Sequence, residues 1–227
     1  MTKKEASELK KAQKLQAERE RIEGMKVYER AHPECRLICG VDEAGRGPFA
    51  GPVVAGAVIL SLDDPEREIL YLNDSKKLSE KKREMLFDEI MEKAVSVGVG
   101  IVEREVIDEI NILQATFLAM QKAIAALDPQ PDYILADAVS IPKIAILQEG
   151  IVKGDAKSVS IAAGSIIAKV TRDRIMYEYD KLYPEYGFAS HKGYGTKAHI
   201  EAIKKYGMLP IHRRSFIHFP AFERQAE

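Results

Sequence analysis

Leu37-Ile38-Cys39-Gly40-Val41-Asp42-Glu43-Ala44-Gly45-Arg46-Gly47-Pro48-Phe49-Ala50-Gly51-Pro52 is the stretch that decides the fold class. Residues 37–41 are apolar and read as a buried strand. That strand delivers two adjacent acids into a loop of glycine and proline. Residues 53–60, rich in β-branched side chains, come next as a second strand. Gly45-x-Gly47 after a strand invites a dinucleotide reading, but that fingerprint needs G-x-G-x-x-G opening into a helix. Here the third glycine is Gly51, one position late, and Pro48 and Pro52 obstruct a helix. A P-loop fails as well, because no Gly-Lys-Ser/Thr is present. What remains is a loop of backbone N–H groups beside an arginine and two acids, which suits a phosphodiester held against metal ions. The plain alternative is a glycine-rich connection between strands, which needs neither Arg46 nor the acids.

Working outward, residues 95–102 alternate as a third strand. Residues 133–136 form a short apolar run ending at Asp137, and residues 144–147 read as a fifth strand. Ser79 is a helix cap for 80–94, and Asn111 with Gln114 caps 112–127. Helical periodicity over 160–182 ends at Tyr183-Pro184, and Ala162, Ala163, Gly164 and Ala168 let its first half lie close against a sheet. Thr196 opens a last helix, closed by Gly207. Residues 1–30 are helix formers with a thin apolar stripe (Leu9, Ala12, Leu15, Ile22, Met25), expected to be a solvated helix broken at His32-Pro33. The order of elements predicts an α/β domain, a mixed β-sheet flanked by helices.

Asp42-Glu43 and Asp137 both end apolar strands, and Asp155 stands just ahead of the small-residue helix. If the first two strands are parallel, their acids share one sheet edge, where sites in α/β proteins gather. Singly, an Asp at a strand end is a common turn or cap residue. Together, four carboxylates converging without balancing basic groups repel strongly, and divalent cations resolve that repulsion. Oxygen ligands with no accompanying His or Cys favour Mg²⁺ or Mn²⁺ over zinc.

The chain has 227 residues, 46% hydrophobic and 30% charged, which fits a globular protein and excludes a disordered one. No apolar run reaches the ~18 residues of a membrane helix, and the polar amino terminus is no secretory signal, so a cytoplasmic protein is expected. Cys35 and Cys39 lie ~13 Å apart on an extended chain, too far for a disulfide, and are read as reduced thiols. The net charge of −1 argues against nucleic acid until it is divided. It is +3 over residues 1–30, −9 over 31–152, +6 over 153–219 and −1 over the last eight. Asn73-Asp74-Ser75-Lys76-Lys77-Leu78 offers common phosphate contacts ahead of a helix. His191-Lys192-Gly193-Tyr194-Gly195 joins an aromatic to basic neighbours and can stack a ring on a sugar or base. His212-Arg213-Arg214-Ser215-Phe216 is a second basic cluster.

Gly40-Val41-Asp42-Glu43-Ala44-Gly45-Arg46-Gly47-Pro48, Asp74-Ser75-Lys76-Lys77-Leu78, Ser165-Ile166-Ile167-Ala168-Lys169-Val170-Thr171-Arg172-Asp173 and Lys192-Gly193-Tyr194 resemble the motifs of the ribonuclease HII family, in the family's order, from Cys35 to Phe219. The resemblance implies an RNase H-like fold over residues 33–227, ending in a helical substrate-binding segment, with residues 1–32 as a charged helical extension. It implies a metal-dependent endonuclease for RNA/DNA hybrids and for DNA duplexes containing single ribonucleotides, cut on the 5′ side to leave 3′-hydroxyl and 5′-phosphate ends. Two Mg²⁺ or Mn²⁺ ions would be held by Asp42, Glu43, Asp137 and Asp155. Asp42 would bridge them, Glu43 and Asp137 would serve the leaving group, and Asp155 the nucleophile. By the same likeness Gly45, Arg46 and Gly47 read the ribose 2′-hydroxyl, Tyr194 packs on the following deoxyribose, and Ser75 and Lys76 touch the backbone. A monomer is expected. The alternatives are a non-catalytic nucleic-acid-binding module, or another RNase H-like nuclease that cuts all-DNA substrates.

Overall fold

The computed structural model describes residues 2–218. Phe219, where the resemblance ends, and the tail of the 33–227 assignment lie outside the described residues. Thr2 and Glu5 form a reciprocal capping box that starts helix α1 (Lys3–Gly24). Leu9 and Leu15 on its stripe are exposed, whereas Ile22 and Met25 at its other end are buried. That end is tied down further by the Glu18 carboxylate, which accepts from the Tyr71 amide at 2.7 Å, and by Arg21, which donates to the Leu72 carbonyl at 2.7 Å. The helix is therefore solvated along one half and docked along the other. A short helix α2 (Val27–Arg30) comes next.

Strand β1 (Ile38–Ala44) pairs antiparallel with β2 (Val53–Ile59). After α3 (Glu80–Lys93), capped by Ser79 as expected, β3 (Ser96–Val102) adds antiparallel to β2. Helix α4 (Arg104–Ala125) then carries the chain back so that β4 (Tyr133–Asp137) lies parallel to β1, and β5 (Leu147–Ile151) lies parallel to β4. The sheet order is β3-β2-β1-β4-β5. The long α5 (Val159–Leu182), a short α6 (Phe188–His191) and α7 (Lys197–Tyr206) complete the elements. α7 starts at Thr196 and stops at Gly207, as the sequence predicts.

One apolar layer joins the sheet to α4 through Cys39, Val41, Ile134, Ala136, Ala119 and Ala123. The other joins it to α3 and α5 through Val58, Ile90, Ile166 and Ile167, with Ile22 and Met25 contributing. α5 lies on β1 and β2 at backbone distance. A Cβ on Gly56 would meet the Gly164 carbonyl oxygen at 2.3 Å, and one on Gly164 would meet the Gly56 oxygen at 2.9 Å.

Two expectations are corrected. The fifth strand is Leu147–Ile151, not residues 144–147. It is an edge strand with one neighbour, so it needs no apolar run, and Leu147 is 71% exposed. Ile144 and Ile146 instead pack from a loop onto the α4 layer. Asn111 does cap the helical turns after it, its Oδ1 accepting from the Leu113 and Gln114 amides, but the chain is already helical from Arg104. Asn111 is a break within α4, at φ 68° and ψ 165°.

Candidate active site

Because β1 and β4 are parallel with Val41 opposite Ala136, Asp42 and Asp137 emerge side by side at their carboxyl ends. Period-two alternation puts Asp42 on the face of Gly40, which meets α5, and Asp137 on the face of Leu135. Asp137 Oδ1 accepts from the Gly154 amide at 2.7 Å, which draws the Gly154–Ala156 turn, and with it Asp155, to the same edge. That turn runs directly into α5. Ser158 caps the helix, and the buried Glu29 of α2 accepts from Ser158 Oγ at 2.6 Å and the Ser160 amide at 3.0 Å.

A cleft of about 560 Å³ opens beside these acids. It is lined by Asp42, Glu43, Gly45, Arg46, Gly47, Ser75, Lys76 and Tyr194, together with Ser165, Lys169 and Arg172, to which the sequence motifs assign no role. Asp137 and Asp155 are not part of this lining, but the charge of Asp137 acts on Asp42 and Glu43, and that of Lys76 on Asp155. Burial, and then the neighbouring Glu43 and Asp137, hold the Asp42 carboxyl well above the usual carboxylate range, although hydrogen bonds from Ser165 and the Glu43 amide oppose the rise. Glu43 is raised by burial and Asp137 against the pull of Arg46, and Asp155 by burial, Asp74 and Asp137. Basic groups are therefore present after all: Arg46 sits 3.5 Å from Glu43, and Lys76 favours the charged forms of Glu43 and Asp155. They soften the repulsion without cancelling it.

Among the described residues, no three His, Cys, Asp or Glu side chains are arranged to hold one ion as they stand. The fit to a hard divalent cation rests on the donor chemistry: crowded carboxylate oxygens, partly buried, whose mutual repulsion a cation relieves. Ligation requires one or more of these side chains to rotate toward a common point.

The other predicted residues have definite places. The ring of Tyr194, 46% exposed, lies against Gly47, where an added Cβ would be 3.6 Å from Cε1. Lys76 is exposed in the cleft. Ser75 also lines the cleft, with its buried hydroxyl 2.9 Å from Ser165 Oγ, which in turn bonds Asp42. His212 and Arg213, two members of the second basic cluster, are buried at 1% and 0% exposure and point inward. A run of basic letters carries no direction, and the chain here turns them toward the loops beside the cleft.

His199 Nε2 lies 3.0 Å from His212 Nε2, and burial presses both imidazoles from 6.5 down to about 4. Both rings are neutral in the fold but charge near 6.5 when it opens. Their contribution to stability is therefore complete above pH 6.5 and is lost as pH falls from 6.5 toward 4, because the unfolded chain binds the protons. At pH 5 the loss is about 2 kcal/mol for one imidazole. His212→Gln should shrink the difference in unfolding free energy between pH 7 and pH 5 by about that amount. Equal pH dependence in the two chains, read from denaturant titrations, would show that the pair is not buried neutral.

A second cavity of about 430 Å³ lies between α1 and residues 60–72. Its Arg19, Lys26, Arg30 and Arg67 are already paired with Glu68, Glu23, Asp63 and Asp64.

A family model for Ribonuclease HII matches residues 39–219. The Ribonuclease HII of Lachnoclostridium phytofermentans is 62% identical over 205 residues, covering 90% of this chain and 80% of that protein. That of Clostridioides difficile is 58% identical over 210 residues, covering 92% and 81%. Among solved structures, the ribonuclease H2 of Pyrococcus horikoshii OT3 superposes with a TM-score of 0.67 at 30% identity, covering 83% of this chain and 96% of that one. With the parallel acid-bearing strands and the glycine loop in place, these likenesses show that the chain belongs to the ribonuclease HII family and is a hydrolytic endonuclease.

Proposed function

We propose that this chain hydrolyses the RNA strand of RNA/DNA hybrids and cuts on the 5′ side of single ribonucleotides embedded in DNA, leaving 3′-hydroxyl and 5′-phosphate ends. The observation that carries this reading is one cleft lined by Asp42 and Glu43, the Gly45–Gly47 loop and an exposed tyrosine ring, with Asp137 beside Asp42 at the end of the neighbouring parallel strand. Asp42, Glu43, Asp137 and Asp155 would hold two Mg²⁺ or Mn²⁺ ions. When bound, such ions supply Lewis-acid activation of water and stabilise the charge on the leaving oxygen.

The remaining work falls to the protein. Among the described residues the amides of Gly45, Arg46 and Gly47 have no protein acceptor, so they are free to bond a 2′-hydroxyl, the group that separates RNA from DNA. Arg46 would meet the phosphate backbone once nucleic acid competes for its contact with Glu43. Tyr194 would pack on the next sugar, where a missing hydroxyl leaves room for the ring. Ser75 and Lys76 would contact the phosphate backbone, Ser75 also reaching Asp42 through Ser165. Residues 1–32 would form a charged helical extension, docked through Ile22, Met25 and Glu29, on a catalytic domain over 33–227. The chain would act as a monomer in the cytoplasm, where the free Cys35 and Cys39 would stay reduced. No described helix is long and apolar enough to cross a membrane.

The test is a substrate panel with Mg²⁺ or Mn²⁺: a duplex with one internal ribonucleotide, a continuous RNA/DNA hybrid and an all-DNA duplex. Cutting of the first two alone is expected. Binding without turnover would identify a non-catalytic module, and cutting of the third would identify a different RNase H-like nuclease. Tyr194→Phe should stay within about threefold of the parent on the embedded ribonucleotide, whereas Tyr194→Ala should lose about tenfold or more, as a stacking role requires.

A further inference from the structure

Two loops meet the substrate in the proposed function, and one buried segment holds both. Arg213 donates from Nη2 to the Gly45 carbonyl at 2.6 Å, from Nη1 to the Arg46 carbonyl at 2.9 Å and from Nε to the Gly51 carbonyl at 2.9 Å. Its own amide donates to the Phe49 carbonyl at 2.7 Å. A fully buried guanidinium that donates to three main-chain carbonyls fixes which way those peptides face. With the Gly45 and Arg46 carbonyls turned toward Arg213, the next amides along the chain are presented on the opposite side.

His212, the neighbouring residue, reaches the other loop. The Leu209 amide donates to His212 Nδ1 at 2.8 Å, so the neutral ring carries its proton on Nε2. That proton is donated to His199 Nε2 at 3.0 Å. His199 must then carry its own proton on Nδ1, which faces the Tyr194 carbonyl at 2.9 Å. The relay Leu209–His212–His199–Tyr194 thus has a single direction, with every buried donor and acceptor matched. His191 completes it, its Nδ1 accepting from the Gly193 amide and its Nε2 donating to the Tyr186 carbonyl. The two loops are also tied directly, since the Phe49 amide donates to the Gly193 carbonyl at 2.8 Å and Arg172 bridges the Ala50 and Lys192 carbonyls.

We propose that His212 and Arg213 are positioning residues that fix the spacing between the Gly45–Gly47 amides and the Tyr194 ring, and thereby set the preference for a ribonucleotide followed by a deoxyribonucleotide. This rests on the roles given above to that loop and to Tyr194. Both are buried outside the cleft lining, so neither is placed to touch substrate. A rigid spacing matters because the preference compares two adjacent sugars, one tested for a hydroxyl and the next for its absence.

The experiment measures kcat/KM with Mg²⁺ on the duplex carrying one ribonucleotide and on the continuous hybrid, for the parent, His212→Asn, His212→Gln and Arg213→Lys. Each variant is made with and without Tyr194→Ala, and thermal unfolding by circular dichroism confirms folding. Asparagine keeps the acceptor for Leu209 but not the donor to His199, whereas glutamine places an amide nitrogen where Nε2 was. His212→Asn and Arg213→Lys should lower the ratio of embedded to continuous cleavage by about tenfold, and His212→Gln should largely preserve it. In the Tyr194→Ala background His212→Asn should change the ratio less than about twofold, because the path it acts through is gone. Equal losses on both substrates, or a full further loss on top of Tyr194→Ala, would overturn the proposal. If one variant does not fold, the other still reads the same ratio. A parent ratio that Tyr194→Ala leaves unchanged would instead overturn the role given to Tyr194, and the brace with it.

Discussion

Asp42→Asn should lower cleavage of the embedded ribonucleotide by about three orders of magnitude or more while raising the stability of the metal-free protein. Asp42 sits at 6% exposure, and burial and two neighbouring acids resist its ionisation. Asparagine is nearly isosteric. It keeps an oxygen for the Glu43 amide, now 2.7 Å from Asp42 Oδ1, and offers an amide to Ser165. What it removes is one buried charge in a repelling group, a gain of about 1–2 kcal/mol. For a chain of this size that corresponds to about 2–8 °C in Tm, measured with chelator present. Added Mg²⁺ should raise the Tm of the parent and leave that of the variant nearly unchanged. Duplex binding, which relies on the loops and the basic residues, should be largely retained. Activity near the parent level would refute the site. A variant less stable than the parent in chelator would show that the carboxylates are not in conflict.

Gly40→Ala should destabilise the protein strongly. An added Cβ would stand 1.9 Å from the Ser160 carbonyl carbon and 2.1 Å from the Ile161 nitrogen, both backbone atoms of α5 that cannot swing aside as a side chain can. α5 would have to retreat, and it cannot do so alone. Gly164 holds it near the Gly56 and Gly40 oxygens, its Ile166 and Ile167 fill the layer under β2, and its Ser165 bonds Asp42. Opening that contact costs about 3–5 kcal/mol, or about 10 °C or more in Tm. Gly24→Ala is the control, since a Cβ there meets nothing within 4 Å and alanine is the better helix former. It should be neutral or stabilising by about 0.5–1 kcal/mol. Gly40→Ala melting within about 3 °C of the parent would show that the helix tolerates a wider separation.

Local signals are readable where they are satisfied locally. Ser79, Asn111 and Thr196 each accept a backbone amide two or three residues on, so the residue type and its place ahead of a periodic stretch suffice to find them. The turns of helix before Asn111 are hidden from such a reading because their anchor is remote. Asp108 accepts from the Arg214 and Ser215 amides more than a hundred positions later. The fifth strand escapes for a related reason. Its pairing depends on β4, and the apolar letters that suggest a strand belong to a loop packed on α4.

From the sequence alone came the two strands around the glycine loop, the small-residue helix, the exclusion of dinucleotide and P-loop sites, and the four acids as a candidate set. These depend on periodicity, turn chemistry and residue type, all of which act within a few positions. Only the tertiary structure decided that β1 and β4 run parallel, which places Asp42 beside Asp137, and that Asp137 captures the Asp155 turn through Gly154. It also reversed the sense of the late basic cluster. Arg214 is exposed, while His212 and Arg213 face inward, because the carbonyls that satisfy Arg213 belong to residues 45–51. The direction of a side chain is set by partners that here stand more than a hundred and sixty positions away, and no local pattern records them.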